Sequence, residues 1–174
     1  PSISLVSQSM RDWVNQVSDR IHVYVVCSDG KASKLRNAAE SYGQLSDIPF
    51  PATTNPVTVA SRFKPRKDAL NVVFSTYQSI QVIHDAQELG LPDFDLTICD
   101  EAHRTTGVID GEAAFQKVHD ADYIHSRKRL YMTATPRIFS QKAQSKAVEG
   151  AIEIASMDDV SVYGRVAYRL SFGK

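Results

Sequence analysis

Two adjacent carboxylates, Asp100 and Glu101, close the apolar run Leu96-Thr97-Ile98-Cys99 and are followed directly by Ala102 and His103. At the edge of a buried strand, one carboxylate can hold a magnesium ion, which takes few protein oxygens and keeps several waters. Its neighbour can orient a water, or accept its proton, as that water attacks a phosphate. The pair therefore suits nucleotide hydrolysis. The run lies between Pro92-Asp93 and polar residues, and its length and composition predict a central parallel strand. The carboxyl end of such a strand opens into the crevice where ligands bind in open α/β sheets. A strand followed by an acidic helix cap would account for two carboxylates alone. The full tetrapeptide Asp-Glu-Ala-His has a chance frequency of about one in a thousand in a chain of this length, which favours the chemical reading.

Two further segments stand in a matching order. Thr133-Ala134-Thr135-Pro136 follows the apolar Leu130-Tyr131-Met132, about thirty residues downstream of the carboxylates, and Ser75-Thr76-Tyr77-Gln78-Ser79 ends the run Val72-Val73-Phe74. This is the order expected of consecutive units of a parallel sheet. Pro1-Ser2, with Leu5 and Gln8, opens the chain ahead of a helical pattern. With these segments together, the chain resembles the first motor domain of a superfamily 2 helicase or translocase of the DEAH type. The wording Tyr-Met-Thr-Ala-Thr-Pro-Arg, Tyr131 to Arg137, is most similar to the restriction-enzyme helicases, particularly the single-polypeptide type ISP enzymes and their relatives.

The resemblance implies an α/β, RecA-like (P-loop NTPase) three-layer fold around a parallel sheet, truncated at its N-terminal end, with ATP and Mg2+ as nucleotide and cofactor. It gives Asp100 the magnesium, Glu101 the attacking water, and His103 a link from the nucleotide site to the neighbouring motif. A lone histidine is more often a satisfied structural residue, and only the tetrapeptide around it carries the other reading. Thr133 and Thr135 would couple the nucleotide site to the nucleic-acid site; as isolated hydroxyls on a turn they would only cap backbone. Ser2 and Gln8 would meet a strand phosphate at a helix N-terminus, where free N–H groups and the helix dipole favour an anion. Thr76 would bind a second phosphate while Gln78 holds its loop, and a plain helix cap after a buried strand is the alternative there.

Composition narrows the field. With 174 residues and 43% hydrophobic content, the chain can bury one core, and one domain is expected. Lys plus Arg and Asp plus Glu are 20 each, so no global basic field attracts a polyanion and any nucleic-acid contact must be local. Cys27 and Cys99 sit in strand-like runs without metal-ligand spacing, and they read as reduced core residues of an intracellular, cytoplasmic protein. No apolar stretch approaches membrane-spanning length and no charged-then-apolar leader opens the chain. Arg62, Lys64, Arg66 and Lys67 form a basic run beside Phe63, the pattern of a solvated face. His119, Asp120, Asp122 and His125 contain metal-ligand types, yet the histidines are six apart, which does not put them on one helix face, and the segment reads as structural or surface.

The elements needed to position these residues follow from periodicity. Ile3, Val6, Met10, Trp13, Val14 and Val17 recur at helical spacing with Ser2 as a possible cap, and Ile21 to Cys27 is a β-branched strand closed by Ser28-Asp29-Gly30. Short helices are expected over Ala32 to Tyr42 and Val57 to Phe63. The pattern then sharpens into strand Asn71 to Ser75, helix Ser79 to Leu89, strand Leu96 to Cys99, helix Glu112 to Ala121, strand Arg129 to Met132 and helix Ser140 to Ala147. Val160 to Phe172 alternates as a terminal strand or as a lead-in to another domain. Residues 1–160 are accordingly read as partial motor domain 1, and 161–174 as the lead-in.

A Gly-x-x-x-x-Gly-Lys-Ser/Thr phosphate loop, which the resemblance calls for ahead of the first helix, occurs nowhere in the sequence. The second motor domain, with its arginine finger, is also absent, and the chain is expected to be a fragment. The intact parent is expected to be an ATP-driven DNA helicase or translocase of a restriction-modification or related defence system. Its expected partners are DNA, double-stranded in preference to RNA, the missing phosphate-loop segment and second motor domain of the same polypeptide, and a linked nuclease and methyltransferase; no membrane partner is expected. The competing class is a non-hydrolysing nucleic-acid-binding or scaffold module that keeps the motor fold.

Overall fold

Helix α1, Ile3–Gln16, places Val6 and Met10 four residues apart on one face, and both are buried. The structure, a computed structural model, describes residues 3–17, 20–27, 52–108, 114–140 and 154–170. The apolar face of α1 packs on strands β1, Ile21–Val26, and β2, Leu70–Ser75, where Val6 and Met10 join Val23, Val25 and Cys27 in one core cluster. Trp13 meets Phe74 edge to face with ring centroids 6.0 Å apart. The two strands pair in parallel, Ile21 opposite Leu70 and Val26 opposite Ser75.

A second, larger cluster contains Val26, Val59, Tyr77, Ile80, Ile83, Ala86, Cys99, Ala102 and Ile124. It is built by helix α2, Pro56–Arg62, and helix α3, Ile80–Glu88, together with the second strand pair. Helix α2 starts where its sequence says it should: Asn55 Oδ1 accepts the Thr58 N–H at 3.1 Å, and Pro56 occupies the first turn. Strand β3, Thr97–Cys99, pairs in parallel with β5, Arg129–Tyr131, and the short β4, Gly107–Val108, pairs antiparallel with β6, Ile154–Ala155. With helices and apolar clusters around parallel strands, the architecture is α/β.

Several expectations need adjustment. Among the described residues the parallel strands hydrogen-bond two by two, and an apolar cleft of about 540 Å³, lined by Val72, Phe74, Leu96 and Ile98 among others, separates β2 from β3. Around Glu112 to Ala121, the described part is a 3₁₀ turn, Lys117–His119, which Arg129 holds by donating Nε–H to the Val118 carbonyl at 2.8 Å. Val160 to Phe172 is no strand where it is described: Val160–Tyr163 forms a helical turn, α4, because Asp159 Oδ1 caps the Ser161 N–H at 2.8 Å, and residues 164–170 are irregular and exposed. Ser2 and the helices expected at Ala32–Tyr42 and beyond Ser140 lie outside the described residues. No helix among the described residues is long and apolar enough to cross a membrane.

Candidate nucleotide-hydrolysis site

Strand β3 ends at Cys99, and the next two residues make a tight turn into a 3₁₀ turn, Ala102–Thr105. Asp100 is half-buried, and its Oδ1 accepts the Glu101 N–H at 2.9 Å. Glu101 has φ 53° and ψ 43°, and it is the single non-glycine residue with positive φ among those described. A left-handed side-chain-bearing residue costs on the order of 1–3 kcal/mol and is kept only where surrounding contacts over-determine it. Those contacts are visible. The Tyr77 hydroxyl donates to the Asp100 carbonyl at 2.8 Å, and the Ala102 N–H donates to the Met132 carbonyl at 2.9 Å.

The strained turn brings the Glu101 carboxylate over the histidine two residues on. Glu101 Oε2 lies 3.2 Å from His103 Nδ1. The same nitrogen is 3.0 Å from Thr133 Oγ1 and 3.5 Å from Thr135 Oγ1, and Thr133 Oγ1 also accepts the Thr135 N–H at 3.2 Å. A carboxylate only accepts, so a proton on Nδ1 is shared between Glu101 and the Thr133 hydroxyl. The structure thus brings Glu101, His103, Thr133 and Thr135 together across the paired ends of β3 and β5.

The floor beneath this edge is uncharged. Burial pushes the Cys99 thiol up to about 12 and raises the Tyr77 phenol well above its ordinary range, with the neighbouring Cys99 and Asp100 adding to the rise at Tyr77. Asp100 and Glu101 are therefore the anionic groups at the strand end.

The expected strand-contacting residues are placed less uniformly. Gln8 and Gln78 are exposed, whereas Thr76 is buried and its hydroxyl donates to Ser79 Oγ at 3.1 Å. That bond shapes the turn presenting Gln78. In the His119–His125 segment, His119 Nδ1 is 2.9 Å from the Tyr131 hydroxyl and His125 Nδ1 is 3.6 Å from Asp93 Oδ1. Tyr77, Thr105, His119, Tyr131 and Tyr163 all belong to the packing behind the site, and only His119 carries a structural expectation from the sequence. Tyr77 had a usable signal, since it lies inside a motif that was singled out; the others converge only in three dimensions.

Comparison with known proteins bears on the family and the fold. Residues 1–138 match the family described as the type III restriction enzyme, res subunit. The chain is 32% identical over 169 residues to a probable helicase of African swine fever virus, covering 97% of this chain and 16% of that protein. In another isolate of that virus the identity is 34% over 118 residues, 67% of this chain and 11% of the relative. Among solved structures, it is 38% identical to the type ISP restriction-modification enzyme LlaGI, in a nuclease-deletion mutant with a DNA substrate mimic, with a TM-score of 0.69 over 99% of this chain and 12% of that one. It is also 38% identical to LlaBIII, an ATP-dependent type ISP restriction-modification enzyme bound to DNA, with a TM-score of 0.72 over 99% of this chain and 11% of that one. The chain thus spans a small part of each relative. On the matched family, the fold and these likenesses, the chain belongs to the type III restriction enzyme res-subunit family and has the fold of a superfamily 2 helicase motor domain.

Proposed function

We propose that this chain supplies the water-activating edge of the first motor domain in an ATP-dependent DNA helicase or translocase serving a restriction-modification or related defence system. The observation that carries the reading is the convergence of Glu101, His103 and Thr133 at the ends of two paired parallel strands. In this arrangement Glu101 orients the attacking water and accepts its proton. His103 bridges that carboxylate to Thr133 and Thr135, so that a change at the nucleotide is felt on the neighbouring strand-end loop. The DNA-bound and ATP-dependent descriptions of the type ISP relatives support the same direction.

The donor set suits magnesium. Among the described residues no group of three or more His, Cys, Asp or Glu could hold a metal on its own. A single carboxylate at a strand end fits the ion that relies mainly on phosphate oxygens and water for its ligands, and Asp100 would hold it. When bound, magnesium neutralises charge on the phosphate oxygens. Gln8 and Gln78 are the exposed residues assigned to nucleic acid, with Thr76 acting through the turn it stabilises, and Ser2 is assigned on the resemblance alone. These are neutral groups suited to phosphates, so DNA is engaged without sequence readout. A linked nuclease and methyltransferase would complete the defence enzyme.

The test is phosphate release by the intact polypeptide against concentration of duplex DNA of two unrelated sequences. Equal stimulation by both, weakening as salt rises, is expected. Absence of any DNA stimulation would remove the motor reading and leave a module that keeps the fold without turnover.

A further inference from the structure

Residues 154–163 touch both loops of the candidate site. Strand β6 pairs with β4 just beyond the carboxylate turn. The Met157 N–H donates to the Arg137 carbonyl at 3.1 Å, and the Phe139 N–H donates to Ser156 Oγ at 3.0 Å, which ties the same segment to the loop that follows Thr135. Helix α4 then brings the Tyr163 hydroxyl to 3.0 Å from Thr105 Oγ1.

Donor and acceptor roles in this cluster can be worked out. Thr105 is fully buried and its hydroxyl donates to the Ala102 carbonyl at 2.8 Å, which uses its one proton. Tyr163 is therefore the donor to Thr105. The Thr105 carbonyl lies 3.3 Å from His119 Nε2 and can only accept, so Nε2 carries the proton. Burial lowers the His119 pKa and keeps the ring neutral, which makes Nδ1 the acceptor for the Tyr131 hydroxyl. The His119, Tyr131 and Tyr163 rings close the cluster with centroids 4.9 to 5.3 Å apart. Each polar group faces a partner, and the chain of bonds ends on the backbone of Ala102, between Glu101 and His103.

We propose that Tyr163 is a positioning residue for hydrolysis: through Thr105 it holds the turn on which Glu101 and His103 stand, and so links that turn to the segment bracing the Thr133–Arg137 loop. The proposal rests on the reading of Glu101 as the water-activating group. Tyr163 acts through Thr105 and not on the reacting atoms. It acts by fixing the angle of the turn, and a strained residue such as Glu101 is where a lost contact is felt in function before it is felt in folding.

The experiment uses the intact polypeptide with Tyr163→Phe, Thr105→Val, Thr105→Ser, the Phe/Val double variant and Glu101→Gln. Steady-state ATPase is measured together with hydrogen exchange of the amides of residues 102–106 without nucleotide. Tyr163→Phe should lower kcat about 3- to 10-fold with KM for ATP within twofold, the range produced by loss of one neutral hydrogen bond. Exchange of the turn amides should speed up by a similar factor. Thr105→Val, which also loses the bond to Ala102, should lose at least as much, the double variant should be no worse than Thr105→Val alone, and Thr105→Ser, which keeps the hydroxyl, should recover most of kcat. Wild-type kcat and exchange in both Tyr163→Phe and Thr105→Val, or multiplying losses in the double variant, would overturn the proposal. Retained turnover in Glu101→Gln would instead strike at the hydrolytic reading, and the exchange data would still decide whether Tyr163 holds the turn.

Discussion

Glu101 combines a strained backbone with the position to which hydrolysis is assigned in the proposal above. Its left-handed backbone is what lets the carboxylate fold back to 3.2 Å from His103, and that conformation is held by Tyr77 at the Asp100 carbonyl and by Met132 at the Ala102 N–H. In the sequence, Asp100, Glu101 and His103 stand out through the full tetrapeptide and the resemblance it carries, since two carboxylates after an apolar strand would by themselves read as a cap. The backbone angle that makes Glu101 and His103 meet had no counterpart in the sequence, since a glutamate is not a residue type that announces positive φ. Cys99, directly before this turn, gives a prediction at the same scale. It is 2% exposed and burial pushes its thiol up to about 12, so at neutral pH it is neither accessible nor ionised. Maleimide labelling followed by mass spectrometry should modify Cys99 only after denaturant is added. Rapid labelling of the native protein would show that the strand end opens to solvent.

At the scale of elements, β2, α3, β3 and β5 were readable because each apolar run is bounded by turn residues and α3 shows a buried face, whereas the helix expected over Glu112 to Ala121 is, where described, turns that include the 3₁₀ turn Lys117–His119. Val59 on α2 and Ile80, Ile83 and Ala86 on α3 lie in the same cluster as Cys99. The reading failed where local pattern and tertiary partners compete. Val160 to Phe172 alternates like a strand, yet Asp159 caps a helical turn and Tyr163 is drawn to Thr105. His119 was legible as structural, but its partners were not, because Thr105, Tyr131 and Tyr163 come from three separate segments. This element carries a pH dependence. Burial lowers the His119 pKa from 6.5, outweighing the Thr105 carbonyl, which favours a protonated ring. The fold therefore prefers the neutral form: its contribution is present above pH 6.5 and is lost as pH falls through the lowered value. Protection factors of the 102–106 amides should drop on acidification below about pH 6.5. In His119→Gln, where an amide can replace both ring contacts without titrating, that part of the drop should vanish. An identical pH dependence in the two proteins would assign the effect to another group.

At the scale of the whole molecule, the chain has the fold of a helicase motor domain and covers a small part of its relatives. Its two parallel pairs leave Leu96, Ile98, Leu130 and Met132 between 37% and 49% exposed, and its relatives are several times longer, with this chain covering 11–12% of the solved enzymes. The sequence contains Asp100, Glu101, Thr133 and Thr135 but no Gly-x-x-x-x-Gly-Lys-Ser/Thr loop to grip a triphosphate. Residues 1–174 by themselves should accordingly show negligible ATPase. The loss of such a phosphate clamp costs on the order of a thousandfold or more in rate. Robust DNA-stimulated phosphate release by purified residues 1–174 would show that the chain is a complete motor by some other route.

The central claim is that the Asp100-Glu101 edge performs hydrolysis, and in the intact polypeptide it can be tested by measuring ATP binding and turnover side by side in Glu101→Gln and Asp100→Asn. Glutamine keeps the shape of Glu101 but cannot take a proton, so Glu101→Gln should bind ATP nearly as the unmodified protein does and release no phosphate above background. Asp100→Asn should lose turnover and, in addition, the magnesium-dependent part of nucleotide affinity. Turnover by Glu101→Gln at near the unmodified rate would contradict the account.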